Sequence, residues 1–242
     1  SSVNKGQDKG WVDDISITYV NPPYTIALNV NRIEKALASL RKKVDLVAFG
    51  ESYLQGFNSL KWNFERDRTV AVSVDSQPIK MLRYTAKKYS VAVSFGYYEL
   101  CDEAIYSSYM FIGKTGEIVN NFRRVSKGWK EYDITDEHYK EGDGFKTFTY
   151  MGKRIALAVC GDLWYEENIE QINKEKFDFL LYPVYVTYNT EMWRTKLVNE
   201  YAEQAKKIPR PVFLVNSICD ADNTRGGCYA FLNGKTVCEV PM

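Results

Sequence analysis

A layered α/β protein with mixed sheets is what the sequence predicts, and three kinds of segment predict it. Val44–Phe49 (VDLVAF), Phe177–Tyr182 (FDFLLY) and Pro211–Asn216 (PVFLVN) are short, almost unbroken apolar runs. Such runs suit strands buried on both faces, as in parallel sheets. Segments with apolar residues three and four apart alternate with them, which is helical spacing. Turn sequences at Gly113–Gly116, Met151-Gly152 and Asn233-Gly234 interrupt this frame with hairpins, so antiparallel strands are expected beside the parallel ones.

In chain order, Ile15–Tyr19 reads as a strand and Pro22-Pro23 as a turn. Asn29–Lys43 carries Val30, Ile33, Leu37 and Leu40 on one stripe, with a Lys/Arg cluster expected in the last helical turn, where it suits the dipole. After the strand at 44–49, Gln77–Tyr89 reads as a second helix and Ser90–Phe95 as the next strand. Ala104–Ile112 pairs with Glu117–Val125, and Phe145–Tyr150 with Lys153–Val159. Glu166–Lys174 is a helix, 177–182 a buried strand, and Glu191–Lys207 a long helix with Trp193, Leu197, Tyr201 and Ala205 on one face. The strand at 211–216 and a hairpin around Asn233-Gly234 close the chain. There is no repeat, low-complexity tract or linker, so residues 1–242 read as a single domain.

The 242 residues carry 32 basic and 31 acidic side chains, a formal net charge of +1. That balance lacks the clustered Lys/Arg which a nucleic-acid backbone or an anionic membrane selects, so neither partner is expected. No run approaches the roughly 18 apolar residues of a membrane helix. The polar start, SSVNKGQDKG, has no apolar segment of a secretion signal, and a cytoplasmic location is expected. Cys101, Cys160, Cys219, Cys228 and Cys238 form no Cys-x-x-Cys pair, which argues against a zinc ribbon or a disulfide framework and for reduced thiols. His138 is the sole histidine, in a polar stretch (TDEHYKEGD) that reads as a solvated loop. Zinc chemistry on several histidines is thereby excluded, and no metal or cofactor is called for.

Three stretches place reactive groups just past buried strands, where ligands bind in open α/β sheets. VDLVAFGES puts Glu51 beyond the first apolar strand. RIALAVCGDLWYEE ends a strand at Cys160 and opens a turn at Gly161-Asp162, whose backbone N–H groups can lower a thiol's pKa and hold an oxyanion. INNFRRVSKGWKEYD runs from a strand into a loop rich in cations, with one carboxylate at Glu131. Singly, each reads as well as a solvated loop or a packed thiol. Together they make a nucleophile, a base and an electrophilic cation without histidine.

At these residues the sequence resembles the nitrilase, or carbon–nitrogen hydrolase, superfamily. DLVAFGESYLQGF is similar to its first catalytic-Glu motif and RIALAVCGDLWYEE to its Cys-x-Asp nucleophile motif. NVNRIEKAL, GEIVNNFRR, YKEGDGFKTF, FLLYPVYV, FLVNSIC and GGCYAFLNGKTV follow in the expected order, so the likeness runs from Ile15 to Val240. It implies a four-layer αββα sandwich, a homodimer or higher homo-oligomer, and hydrolysis of a non-peptide C–N bond in a small amide substrate. Cys160 is then the nucleophile and Glu51 the general base. Gly161 supplies an oxyanion N–H, Glu131 orients the cation, and Trp164, Tyr185 and Trp129 are candidates for the pocket wall.

The sequence departs from the family pattern in several places. Arg124 stands where the family has its lysine, Gly50 where a proline is usual, and Cys228 where a serine is common; the chain also stops earlier than most members. Arg124 can serve as a fixed cation, or Lys127 or Lys130 can fold back to supply an ammonium; the residues leave this open. Arg in that slot also admits a nitrilase-like protein that binds without efficient turnover. A redox thiol protein is a third reading, disfavoured by the lack of a resolving cysteine near Cys160 in sequence. The loops expected to decide the substrate are Leu54–Arg68, Ser126–Glu137 and Val186–Trp193.

Overall fold

A computed structural model of the protein describes residues 15–17, 26–217 and 227–240, the first three by backbone alone. The turn expected at Pro22-Pro23, the end of the first strand, and Cys219 lie outside the described residues.

One sheet holds β1 (Ile15–Ile17), β2 (Leu46–Ala48), β3 (Ala92–Cys101), β4 (Ala104–Ile112) and β5 (Ile118–Arg123) in that spatial order. β1, β2 and β3 are parallel, and β3–β4–β5 are antiparallel. The second sheet runs β6 (Phe148–Tyr150), β7 (Lys153–Leu157), β8 (Phe179–Val184), β9 (Val212–Asn216), β10 (Cys228–Leu232) and β11 (Lys235–Val240), with β7–β8–β9 parallel. Helices α1 (Ile26–Leu40) and α3 (Gln77–Tyr89) cover the first sheet; the four-residue α2 (Phe64–Asp67) lies in a loop. Helices α4 (Glu166–Lys174), α5 (Thr190–Met192) and α6 (Val198–Lys206) belong to the second half, the last two joined through a π-helical turn at Trp193–Leu197. The result is the αββα sandwich.

The period-two alternation of buried strands builds the layers. Leu46 and Ala48 of β2, Ile155 and Leu157 of β7, Phe179 and Leu181 of β8, and Phe213 and Val215 of β9 meet between the sheets. Their neighbours Val47, Ala156, Leu180 and Leu214 face the outer helices instead. Strands with both faces covered need apolar residues at nearly every position, which is why these runs are legible as unbroken hydrophobic segments. On α1, Val30, Ile33 and Leu37 are buried; on α3, Ile79, Leu82 and Ala86 are. The stripe of Trp193, Leu197, Tyr201 and Ala205 packs on the second sheet.

Several boundaries differ from the sequence expectation. α1 spans 26–40 rather than 29–43, and Arg41, Lys42 and Lys43 follow its end instead of forming its last turn. Lys42 takes a left-handed conformation (φ 63°), which stops the helix there. The strand expected at 90–95 runs on to Cys101 and turns at Asp102 and Glu103, both left-handed, into β4. That hairpin carries no glycine, so it escaped a search for Gly turns. The Met151-Gly152 and Asn233-Gly234 hairpins stand where expected, each with two residues at positive φ.

Candidate active site

The carboxyl ends of the parallel strands in both sheets converge on one region, and this brings the three stretches together. Beyond β2, the backbone N–H of Glu51 donates to the carbonyl of Val184 at the end of β8. The approach is close at Gly50, where a Cβ would lie 2.3 Å from Ser217 Oγ and 3.1 Å from the Val184 carbonyl. Only glycine fits without a shift, which explains its presence where a proline is usual.

β5 delivers the cation. Phe122 points into the inter-sheet core, so Arg124, two residues on, shares that side. Its Nη1 donates to Glu51 Oε1 at 2.7 Å and its Nε to Ser126 Oγ at 2.8 Å, with both charged side chains almost fully buried. No hydrogen-bond acceptor meets Nη2 among the described residues.

β7 delivers the thiol. Cys160 follows the strand in a left-handed conformation (φ 44°), costly for a residue with a Cβ, and opens a 3₁₀ turn over Cys160–Trp164. Tyr182 donates to its carbonyl and so pins the bend. Its thiol interacts with the Glu51 carboxylate and with the backbone N–H of Tyr185. Oε2 of Glu51 has no hydrogen-bond partner among the described residues.

The electrostatics follow from burial. Desolvation raises the Glu51 carboxyl above its ordinary value, with Arg124 opposing. Burial, with the negative charge of Glu51 adding to it, pushes the Cys160 thiol up to about 12 against the pull of Arg124 and the Tyr185 N–H. The sequence suggested a thiol with a lowered pKa; the enclosing protein reverses that direction, so the resting proton sits on sulfur beside a base. Desolvation works against the charge on Arg124, but Glu51, Cys160 and Asp162 hold the guanidinium protonated.

A second carboxylate organises the site, and the sequence assigned it no role. Asp162 is fully buried; Oδ1 accepts from the N–H groups of Val125 and Ser126, and Oδ2 from that of Val159. It ties the loop bearing Arg124 to the turn bearing Cys160. Its place in Cys-x-Asp was the available signal. Ser126 lies in the cation-rich stretch but its side chain was assigned no role, and nothing local marked Tyr182 or Tyr201, which approach the site from other segments.

Other expected site residues fall elsewhere. Lys127 and Glu131 are exposed, and neither side chain has a partner among the described residues. The structure therefore does not bring Glu131 to Arg124; Ser126 and Glu51 hold the guanidinium instead. Lys130 pairs with Glu141 at 2.8 Å. Trp129 is buried in a separate apolar cluster with Leu60, Phe64, Tyr98 and Tyr139. Trp164 is exposed and meets Tyr201 edge-on, whereas Tyr185 stacks on Phe57 at 4.3 Å. His138 stacks on Phe64 and bonds Asp136, a packed loop position. Asp67, bonded to the N–H groups of Lys61 and Trp62 and to the Tyr139 hydroxyl, ties the expected substrate loop 54–68 to the segment just after the 126–137 loop. No cluster of three or more metal-ligating side chains occurs among the described residues.

Residues 16–234 match the carbon–nitrogen hydrolase family. The protein belongs to that family. Among curated relatives, it is 24% identical over 188 residues to a cyanide hydratase of Alternaria brassicicola, covering 71% of this chain and 50% of that protein. It is 27% identical over 154 residues to a bromoxynil-specific nitrilase of Klebsiella pneumoniae subsp. ozaenae, covering 60% and 41%. The chain thus spans about half the length of the curated relatives it matches. An amidase from Nesterenkonia sp. superposes with a TM-score of 0.73 at 14% identity, covering 93% of this chain and 84% of that one. In one variant of that amidase the acetamide moiety of fluoroacetamide is attached covalently to the active-site cysteine. No described helix of this family member is long and apolar enough to cross a membrane.

Proposed function

We propose that the protein hydrolyses the C–N bond of a small amide or N-carbamoyl amine, with a nitrile as the less favoured substrate, through an acyl-thioester on Cys160. The observation that carries this reading is a single buried carboxylate, Glu51, in contact with both a thiol and a fixed guanidinium.

Glu51 takes the thiol proton as sulfur bonds to the carbonyl carbon, and the carbonyl electron pair moves to oxygen. The oxyanion is held by the Gly161 N–H and by Arg124, each such donor contributing on the order of 3 kcal/mol. As the C–N bond breaks, protonated Glu51 returns its proton to the leaving nitrogen. Water then attacks the thioester, giving a proton to Glu51, and the thiol is regenerated as the acid departs. An Arg cannot lose its proton at working pH, so Glu51 carries every transfer.

Incubation with a pool of small amides and carbamoyl amines, read by intact-mass spectrometry, tests this. An acyl adduct absent from Cys160→Ala is expected; turnover that survives that substitution sinks the proposal. Arg124 also favours a second reading, a protein that binds amides with weak turnover. Under it the pool gives binding-induced stabilisation but no adduct. A homodimer is the assembly we carry with the first reading, and light scattering checks it.

A further inference from the structure

We propose that Gly161 and Ser126 are positioning residues that make the cation slot specific for a guanidinium and aim one of its N–H groups at the substrate oxygen. The inference rests on the hydrolase reading for its substrate, but its geometry stands apart from it. Arg124 is gripped at two of its three nitrogens, Nη1 by Glu51 and Nε by Ser126 Oγ. The third, Nη2, lies where the side chain of residue 161 would begin. A Cβ there would stand 2.3 Å from Nη2 and 2.9 Å from Ser126 Oγ, and one at Gly128 would stand 3.5 Å from the same nitrogen.

A clash with the end of a long side chain is ordinarily relieved by swinging that end away. Here the guanidinium is planar, buried, and held by two bonds that fix its plane, so Nη2 has nowhere to go without breaking one of them. Ser126 is itself held, its backbone N–H donating to Asp162 at 2.7 Å. Gly161 therefore leaves the volume that the fork occupies. Nη2, with no acceptor among the described residues, sits at the turn that carries the thiol.

A lysine ammonium carries its three donors on one nitrogen, so it cannot reach acceptors spread around the fork as Glu51 and Ser126 are here. The structure thus assigns the slot to a fork-shaped cation, with the glycine as its steric counterpart.

Chemical rescue tests this, with two readouts: the rate of Cys160 alkylation by iodoacetamide, which needs no substrate, and amide hydrolysis. Arg124→Ala should lose at least tenfold in alkylation rate at neutral pH. Millimolar guanidinium should restore most of it, and ethylammonium should not. Adding Gly161→Ala to Arg124→Ala should abolish the rescue. In parallel, Gly161→Ala in the wild-type background should cost at least tenfold in alkylation rate; thermal melts confirm that each variant is folded. Equal rescue by both cations, rescue by neither, rescue that survives alanine at 161, or a Gly161→Ala cost under threefold overturns the proposal. If the alkylation pattern holds while the wild type hydrolyses no amide, the positioning proposal stands and the hydrolase reading falls.

Discussion

Two adjacent arginines at the end of β5 make ion pairs of opposite character. Arg123 forms a two-pronged pair with Glu99 at 2.9 and 3.0 Å, Ser108 donates to the same carboxylate at 2.6 Å, and the guanidinium lies 3.8 Å over the Tyr106 ring. Arg124 reaches Glu51 with one nitrogen, keeps another free of protein acceptors, and leaves Oε2 of its partner without a bond of good geometry among the described residues. A fully satisfied pair is structure. A pair with one donor and one acceptor in reserve, beside a thiol, has capacity left for a reacting molecule. Strand alternation makes the division, since successive side chains leave opposite faces.

The comparison breaks most severely at the reactive side. Cys160→Ala should abolish the acyl adduct, and Glu51→Gln, near-isosteric, should lower turnover about 10³-fold with little change in melting temperature, since a general base contributes on that scale. Steady-state kinetics beside a thermal melt reads both. If Glu51→Gln melts far lower yet keeps its rate, Glu51 belongs with Glu99 as a structural carboxylate.

Next comes the exchange between the arginines. Arg124→Ala should cost about 10²-fold in kcat/KM. Arg123→Met should leave kcat within threefold and instead destabilise by about 1–3 kcal/mol, a range reduced because the guanidinium is partly exposed while it strands the buried Glu99. Denaturant unfolding and kinetics on the same two samples decide it, and effects of equal kind at both sites erase the distinction.

The pH dependence sharpens it further. Glu51 must be ionised to act, and burial raises its pKa, so activity should fall on acidification at a pH above the ordinary carboxylate value of 4.5. Stability carries the reverse dependence. The Cys160 thiol moves from 9 in the unfolded chain to about 12 when folded. Between those values the folded protein keeps a proton that the unfolded chain has lost, so stability declines as pH rises through that window. Cys160→Ala should flatten the decline; urea melts at pH 9 and 11 measure it.

The smallest effects belong to the exposed loop. Lys127→Met and Glu131→Gln should change kcat/KM less than twofold and stability by under about 0.5 kcal/mol. A large loss at Glu131 would mean that the loop closes over substrate.

What the chain decided locally is its layer plan and two of its reactive groups. Apolar runs, helical stripes and turn dipeptides report burial within a few residues, so β2, β8, β9, α3 and α4 were legible, as were Cys160 and Glu51 at strand ends. The choice among cations was not. Arg124, Lys127 and Lys130 lie within seven positions of one another, and which charge meets Glu51 depends on how β2 and β5 lie in one sheet and on which side of β5 faces the inter-sheet core. The same holds for Asp162, whose three N–H partners come from two segments, and for the thiol, whose pKa answers to the protein packed around it rather than to the turn that carries it. Burial and pairing are properties of distance in space, and spacing along a chain does not encode them.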